Sequence, residues 1–338
     1  MRVTCVWVVA FACCLAGCES WLGKRIVSPP NQGKALTQLE LDEPAVLPDA
    51  VIDHRLRVEV DGGGTGAGPA SLSLWVIDPS DEVFLGTLPN PKSPRKVRPV
   101  FARTHDGPRV TRPARGTVLL LHGYYDEKNQ GRYLTWGRIL AAAGYRAVLI
   151  DQRGHGRSTG DWATYGVAEA ADMAAVLDAL QQRGLVVGDV GVMAVSFGAS
   201  TAVRWASADD RVRALVLVSG FASMRSVVED FGRAIGFRSF SHEKFQRIID
   251  HAGRAAGFDP DDADAEAVID RVAVPTLIFH GEEDRLIPID HAVRLYAAAG
   301  REDVELVRVA SAGHTDLGDA LVEPIREPML GWFARHLR

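Results

Sequence analysis

Beyond residue 18 this sequence of 338 residues contains no cysteine; all four (Cys5, Cys13, Cys14 and Cys18) lie at its start. Everything downstream therefore folds without disulfides and without a cysteine-based zinc site. Long hydrophobic runs are just as scarce. Only the first 16 or so residues are continuously apolar, which excludes a polytopic membrane protein. Neither sign of charge dominates. Lys and Arg number 38 against 43 Asp and Glu, a formal net charge of −5, which does not suit a polyanion binder working by bulk charge. Also missing are His-Glu-x-x-His, an aspartate-rich calcium loop, histidines paired at i and i+4, a Gly-Lys-Ser/Thr phosphate loop, and a basic stripe with interleaved aromatics. No metal, no cofactor and no nucleic-acid partner is expected. What remains is a chain with 47% hydrophobic residues, enough to bury a large core.

The start of the chain reads as an address. Arg2 is a minimal positive region, Val3 to Ala16 is apolar, and Leu15-Ala16-Gly17-Cys18 resembles the lipobox of bacterial lipoproteins. That resemblance implies that Cys18 is lipidated and becomes the first mature residue. It makes residues 1–18 a signal peptide and places the protein in the bacterial cell envelope, anchored to a membrane. An ordinary secretory signal cleaved nearby is the alternative. Residues 19–50 carry Pro29, Pro30, Pro44 and Pro48 and no sustained periodicity, so they are expected to form a tether. A folded domain is expected over 51–338.

Asp53–Val60 and Ser71–Ile77 have strand character, separated by the glycine-rich run 61–68. That run formally fits a dinucleotide fingerprint, but a strand follows it where the fingerprint requires a helix, so a hairpin loop is expected. Residues 78–116, rich in Pro, Lys and Arg, read as a solvated insertion. From 117 the pattern changes. Short apolar runs (118–121, 147–150, 190–195, 214–218, 276–279, 304–309) alternate with helix-like segments (133–143, 167–182, 198–208, 289–299, 323–337). This predicts an α/β fold: a mostly parallel central sheet with helices on both faces. The gap 219–273 breaks the alternation and holds six of the twelve phenylalanines. It predicts a small helical cap over about 221–272, with helices near 224–235 and 242–256, roofing an apolar substrate cleft.

Val195-Ser196-Phe197-Gly198 closes an apolar run and opens a helix, the context that exposes a serine hydroxyl as a nucleophile. Here the chain resembles the α/β-hydrolase superfamily, whose elbow reads Gly-x-Ser-x-Gly, with Ala194 standing at the first glycine. Asp284 and His314 each follow an apolar run, and the order Ser196, Asp284, His314 is the triad order of that superfamily. Glu282 and Glu283 are nearby rivals for the acid. The resemblance implies that Leu121-His122-Gly123-Tyr124 is the oxyanion loop, with the backbone N–H groups of Tyr124 and Phe197 as donors. It also makes Asp151-Gln-Arg-Gly-His-Gly-Arg-Ser158 a loop-holding motif. The expected function is a serine hydrolase that cleaves small carboxylic esters or other acyl compounds through an acyl-enzyme. Two alternatives stand beside it: a serine peptidase, for which the cap acids Glu229 and Asp230 could bind a free amino terminus, and a catalytically idle ligand-binding lipoprotein.

Overall fold

The computed structural model describes residues 18–31, 51–90, 93–129, 131–317 and 323–338. The signal peptide, apart from Cys18, lies outside the described residues, as do positions 32–50 of the expected tether.

Eight strands form one sheet in the order β1-β2-β6-β5-β7-β8-β9-β10. These are β1 (His54–Val60), β2 (Ala70–Ile77), β5 (Thr117–Leu121), β6 (Arg146–Ile150), β7 (Val190–Val195), β8 (Val212–Val218), β9 (Thr276–Gly281) and β10 (Val304–Val309). β1 and β2 join antiparallel at one edge, and the other strands are parallel. The continuous apolar runs follow from burial on both faces. In β5, Leu119 and Leu121 join the core cluster on one face while Val118 and Leu120 join the other. The first face is covered by α3 (Val167–Gln182), α4 (Phe197–Ala206) and α7 (Asp290–Ala299). The second is covered by α2 (Gly131–Ala142) and α8 (Glu323–His336). The cap consists of α5 (Met224–Ala234) and α6 (His242–Ala256), capped at their N-termini by Ser223 and Ser241.

Two segments differ from expectation. The tether does not begin after Cys18. Cys18–Ile26 forms a helix, α1, laid against α6. The approach is close because Gly23 has no side chain: a Cβ there would stand 2.5 Å from the Ile248 carbonyl oxygen. Glu19 pairs with Arg247, and Val27 is completely buried among cap residues. The solvated insertion contains an antiparallel hairpin, β3 (Glu82–Asn90) with β4 (Ser93–Arg103). Arg138 of α2 holds it, bonding Glu82 through two nitrogens at 2.6 and 2.9 Å and lying 3.7 Å over the Phe101 ring. An apolar face this narrow leaves no alternation that periodicity can detect.

The glycine-rich run 61–68 is the β1–β2 hairpin loop. Arg153 fixes it from below, donating to the carbonyls of Ala67 and Gly68 while gripping Asp172 of α3 at 2.7 and 2.8 Å. Both charges are fully buried, so each depends on the other. Arg153→Ala is expected to destabilise the fold by about 3–5 kcal/mol, read as a lower midpoint in urea. The double variant Arg153→Met/Asp172→Leu should recover much of that loss.

Candidate active site

Ser196 occupies the turn from β7 into α4 at φ 53° and ψ −114°. A non-glycine residue in this region carries about 1–3 kcal/mol of backbone strain. The turn is held by Ser196 N–H donating to the Val218 carbonyl (2.8 Å) and Ala199 N–H to the Ser196 carbonyl (2.9 Å). Small neighbours are obligatory. A Cβ on Gly198 would stand 2.7 Å from the Leu121 carbonyl oxygen, and one on Gly220 2.9 Å from Ala199 Cβ. Ala194 needs no glycine: its methyl is buried in the core, between Leu121 of β5 and Leu217 of β8 in the sheet register.

Asp284 follows β9 and His314 follows β10. Their loops touch because Gly281 admits the Ala312 carbonyl, and Glu283 N–H donates to that same carbonyl at 3.0 Å. His314 Nδ1 lies 2.7 Å from Asp284 Oδ2, and Asp284 Oδ1 accepts the N–H groups of Leu286 (3.0 Å) and Ile287 (2.9 Å). Burial pushes the Asp284 carboxyl up. His280 at 3.5 Å, His314 and the Ile287 amide together outweigh it and hold the group well below the usual carboxylate range. Asp284 is therefore ionised and can only accept, so His314 Nδ1 carries the proton and Nε2 is left as a base. Of the rival acids, Glu282 pairs with Arg308 at 2.9 Å.

The expected oxyanion loop lies against the serine: a Cβ on Gly123 would be 3.5 Å from Ser196 Cβ. Among the described residues, neither Tyr124 N–H nor Phe197 N–H donates a hydrogen bond. Their rings meet edge to face, 5.4 Å apart at 87°. Behind the loop, Tyr133 hydroxyl accepts from Gly123 N–H (3.1 Å) and donates to Asp126 (2.8 Å). Gln152 N–H donates to His122 Nε2 (3.0 Å), which puts the His122 proton on Nδ1, facing the Gly123 carbonyl at 2.8 Å. Both nitrogens of His155 face carbonyls, of Arg153 and Tyr124, at 2.7 Å. Neither histidine is free to act on a substrate. Asp151 binds the buried Lys128 at 2.7 Å and also accepts the N–H groups of Lys128 and Arg157.

Sequence reasoning missed Lys128, Tyr133, Gln152 and His280. Lys128 stands in a loop that composition alone marks as solvated. Its one signal was the demand of a buried Asp151 for a cation. Of the six phenylalanines in the cap segment, Phe237, Phe240 and Phe245 pack on one another, with ring centroids 5.1 and 5.7 Å apart, whereas Phe221 lies 6.0 Å from the ring of Tyr165, which in turn meets Phe197. Glu229 is bonded to Arg233 (2.6 Å) and His242 (2.7 Å), and Asp230 lies 3.1 Å from His291. Among the described residues, no group of three His, Cys, Asp or Glu could hold a metal ion.

Comparison with known proteins bears on the fold. The family described as "Serine aminopeptidase, S33" matches residues 112–253, under half of the chain. An esterase from Pyrococcus furiosus superposes with a TM-score of 0.61 at 19% identity, covering 92% of this chain and 98% of the esterase. The chain has the α/β-hydrolase fold. Among curated proteins, the Bacillus subtilis (strain 168) AB hydrolase superfamily protein YisY is 26% identical over 238 residues, 58% of this chain and 84% of YisY. Bacillus subtilis YqkD, an uncharacterized protein, is 26% identical over 188 residues, and the match spans 53% of this chain and 59% of YqkD. Within the α/β-hydrolase fold the parallel strands end on one side, and Ser196, Asp284 and His314 all follow those ends.

Burial, with the neighbouring His155 adding to it, lowers the His122 imidazole from 6.5 to about 4. The unfolded chain therefore takes up this proton first as pH falls, so stability is lost between pH 6.5 and 4. The loss from this group reaches about 3 kcal/mol. Urea denaturation across that range should show it, and His122→Asn should flatten the slope.

Proposed function

We propose that this protein is a serine hydrolase that cleaves carboxylic esters of small acyl compounds, with Ser196 as nucleophile, His314 as base and Asp284 as its orienting carboxylate. The observation that carries the reading is the 2.7 Å contact from His314 Nδ1 to an ionised Asp284, on the same sheet edge as the strained Ser196 turn. His314 Nε2 takes the Ser196 hydroxyl proton as Oγ attacks the ester carbonyl. The oxyanion that forms is met by the Tyr124 and Phe197 N–H groups, each such donor being worth roughly 3–4 kcal/mol. His314 then protonates the departing alkoxide. Water, deprotonated by the same nitrogen, releases the acid and regenerates Ser196.

The name of the matching family raises a peptidase reading. An aminopeptidase must bind the ammonium of a free amino terminus, and a cap carboxylate is the natural partner. Glu229 is already committed to Arg233 and His242, and Asp230 to His291. The cavity of about 330 Å³ there is lined by Glu229 and Asp230 themselves, with Ser223, Arg225, Ser226, His242 and Gln246, and by none of Ser196, Asp284 and His314. An ester, which carries no ammonium, fits this cap better. A purely ligand-binding role is disfavoured because binding needs neither the strained serine nor the oriented imidazole.

We propose that Cys18, which opens α1 and carries a free thiol, takes a lipid that holds the domain to the cell envelope.

A fluorophosphonate probe should label the wild type and leave Ser196→Ala unlabelled. Asp284→Asn should retain the fold yet lose about four orders of magnitude in kcat on p-nitrophenyl esters, because the imidazole is held in the wrong tautomer. Absence of labelling in the wild type would end the catalytic reading. Cys18→Ser should move the protein from the membrane to the soluble fraction, and unchanged membrane association would refute the anchor.

A further inference from the structure

The chain just after Cys18 reaches the oxyanion loop itself. Leaving α1, residues 26–31 pass between the cap and the loops around Ser196. The Tyr124 hydroxyl shares its single proton between the carbonyls of Ile26 (2.7 Å) and Ser28 (2.9 Å). Tyr165 hydroxyl lies 3.3 Å from the same Ile26 carbonyl. Val27 is buried in the cap cluster, and its carbonyl accepts from Ala163 N–H at 3.0 Å. Pro29 packs on Gly154, where a Cβ would stand 2.2 Å from the proline ring. Asn31 finishes the strap. Its N–H donates to the Gly154 carbonyl (2.9 Å), and its side-chain amide donates to the carbonyls of Gly156 (2.6 Å) and Ser158 (3.2 Å).

These contacts converge on one residue. In the proposed mechanism the Tyr124 N–H meets the developing oxyanion and Phe197 supplies the second N–H; the two rings rest edge-on against each other. The Tyr124 carbonyl is engaged by His155. The backbone of Tyr124 is therefore fixed from three sides: by His155 at its carbonyl, by Phe197 at its ring, and by the strap at its hydroxyl. Without the strap, the ring loses the anchor at its hydroxyl, and the backbone that carries it is free to shift through φ and ψ, taking the amide with it. An amide displaced by a few tenths of an ångström stabilises a ground-state carbonyl almost as before, but loses much of its value in the transition state.

We propose that residues 26–31 are a positioning strap for the oxyanion hole, acting through the Tyr124 hydroxyl, so that the segment after the anchoring cysteine is part of the catalytic apparatus. This inference rests on the serine-hydrolase reading. Burial pushes both the Tyr124 and Tyr165 hydroxyls well up, so each remains a donor at any working pH. The strap makes no contact with the reacting atoms. Its residues are positioning residues.

The test compares Tyr124→Phe and Asn31→Ala with the wild type in the full chain. Tyr124→Phe removes the hydroxyl and keeps the ring and the amide; Asn31→Ala loosens the far end of the strap. Both should lower kcat on p-nitrophenyl acetate about tenfold or more with KM nearly unchanged. Affinity for a boronic acid transition-state analogue should fall by the same factor as kcat/KM. A purely structural role would lower the melting temperature without matching the two ratios. Wild-type kcat in both variants, or a loss of kcat without the parallel loss in analogue affinity, would overturn the strap. An inactive wild type would instead refute the hydrolase reading, so the two failures can be told apart.

Discussion

A serine held at φ 53° and ψ −114° survives only where the chain on either side is immobile. That single strained turn explains much of the surrounding sequence. Behind it, β7 is fully buried and bonded on both sides, to β5 and to β8, so the strand end cannot yield. Ahead of it, α4 starts so close to β5 that only glycine fits at 198. Beside it, Gly220 leaves room for Ala199. Ala194 can replace the usual glycine because the methyl points into the sheet core and away from the turn. The strain is distributed into packing that the fold needs in any case.

The buried charges serve the same constraint. Asp151 and Lys128 are both about 1% exposed, and Arg153 and Asp172 are completely buried. An ion pair of this kind contributes little net stability, because desolvation consumes most of the attraction. Its value is directional. Asp151 gathers two backbone N–H groups and a lysine, and Arg153 gathers two carbonyls and a carboxylate. Each ties loops that are far apart in sequence to one position beneath the site. Apolar contacts could supply equal stability without the angular restriction that a set of hydrogen bonds imposes.

The sheet and its covering helices were legible because burial on both faces leaves a mark: runs of four to six largely apolar residues, repeated. The helices of the cap were legible as helical stretches within the gap in the strand-helix alternation; their serine caps, Ser223 and Ser241, are evident only in the structure. The expectation at Ser196, Asp284 and His314 rests on chemistry, which restricts the residue types, and on the fold, which restricts their order; the His314–Asp284 contact could not be read before the loops were placed. The hairpin 82–103 escaped detection because Phe84, Phe101 and Glu82 stand in a segment coloured by proline and basic residues, and the Arg138 that holds it comes from α2, far along the chain. The helix at 18–26 escaped for a related reason. It spans nine residues, it carries lysine and arginine, and only Gly23 reports its close approach to α6. Contacts that run through backbone carbonyls, as at Ile26 and Ser28, leave no trace in residue type.

The order of elements along the chain gives the strap its physical interest. A segment that opens at Cys18 and is locked to the domain through Asn31 has only about a dozen residues in which to act. It uses them to touch the cap, the 152–163 loop and Tyr124 in turn. The cap therefore does not rest on the sheet through its own helices alone. Val27 fills the cap cluster beside Phe221, Met224 and Ile249, so any movement of α5 and α6 displaces the backbone that Tyr124 holds. The packing of the cap and the position of Tyr124 become parts of one mechanical unit. A membrane anchor at Cys18 would then fix the orientation of that unit as well as the location of the domain, because α1 lies directly on α6 with no flexible spacer between them.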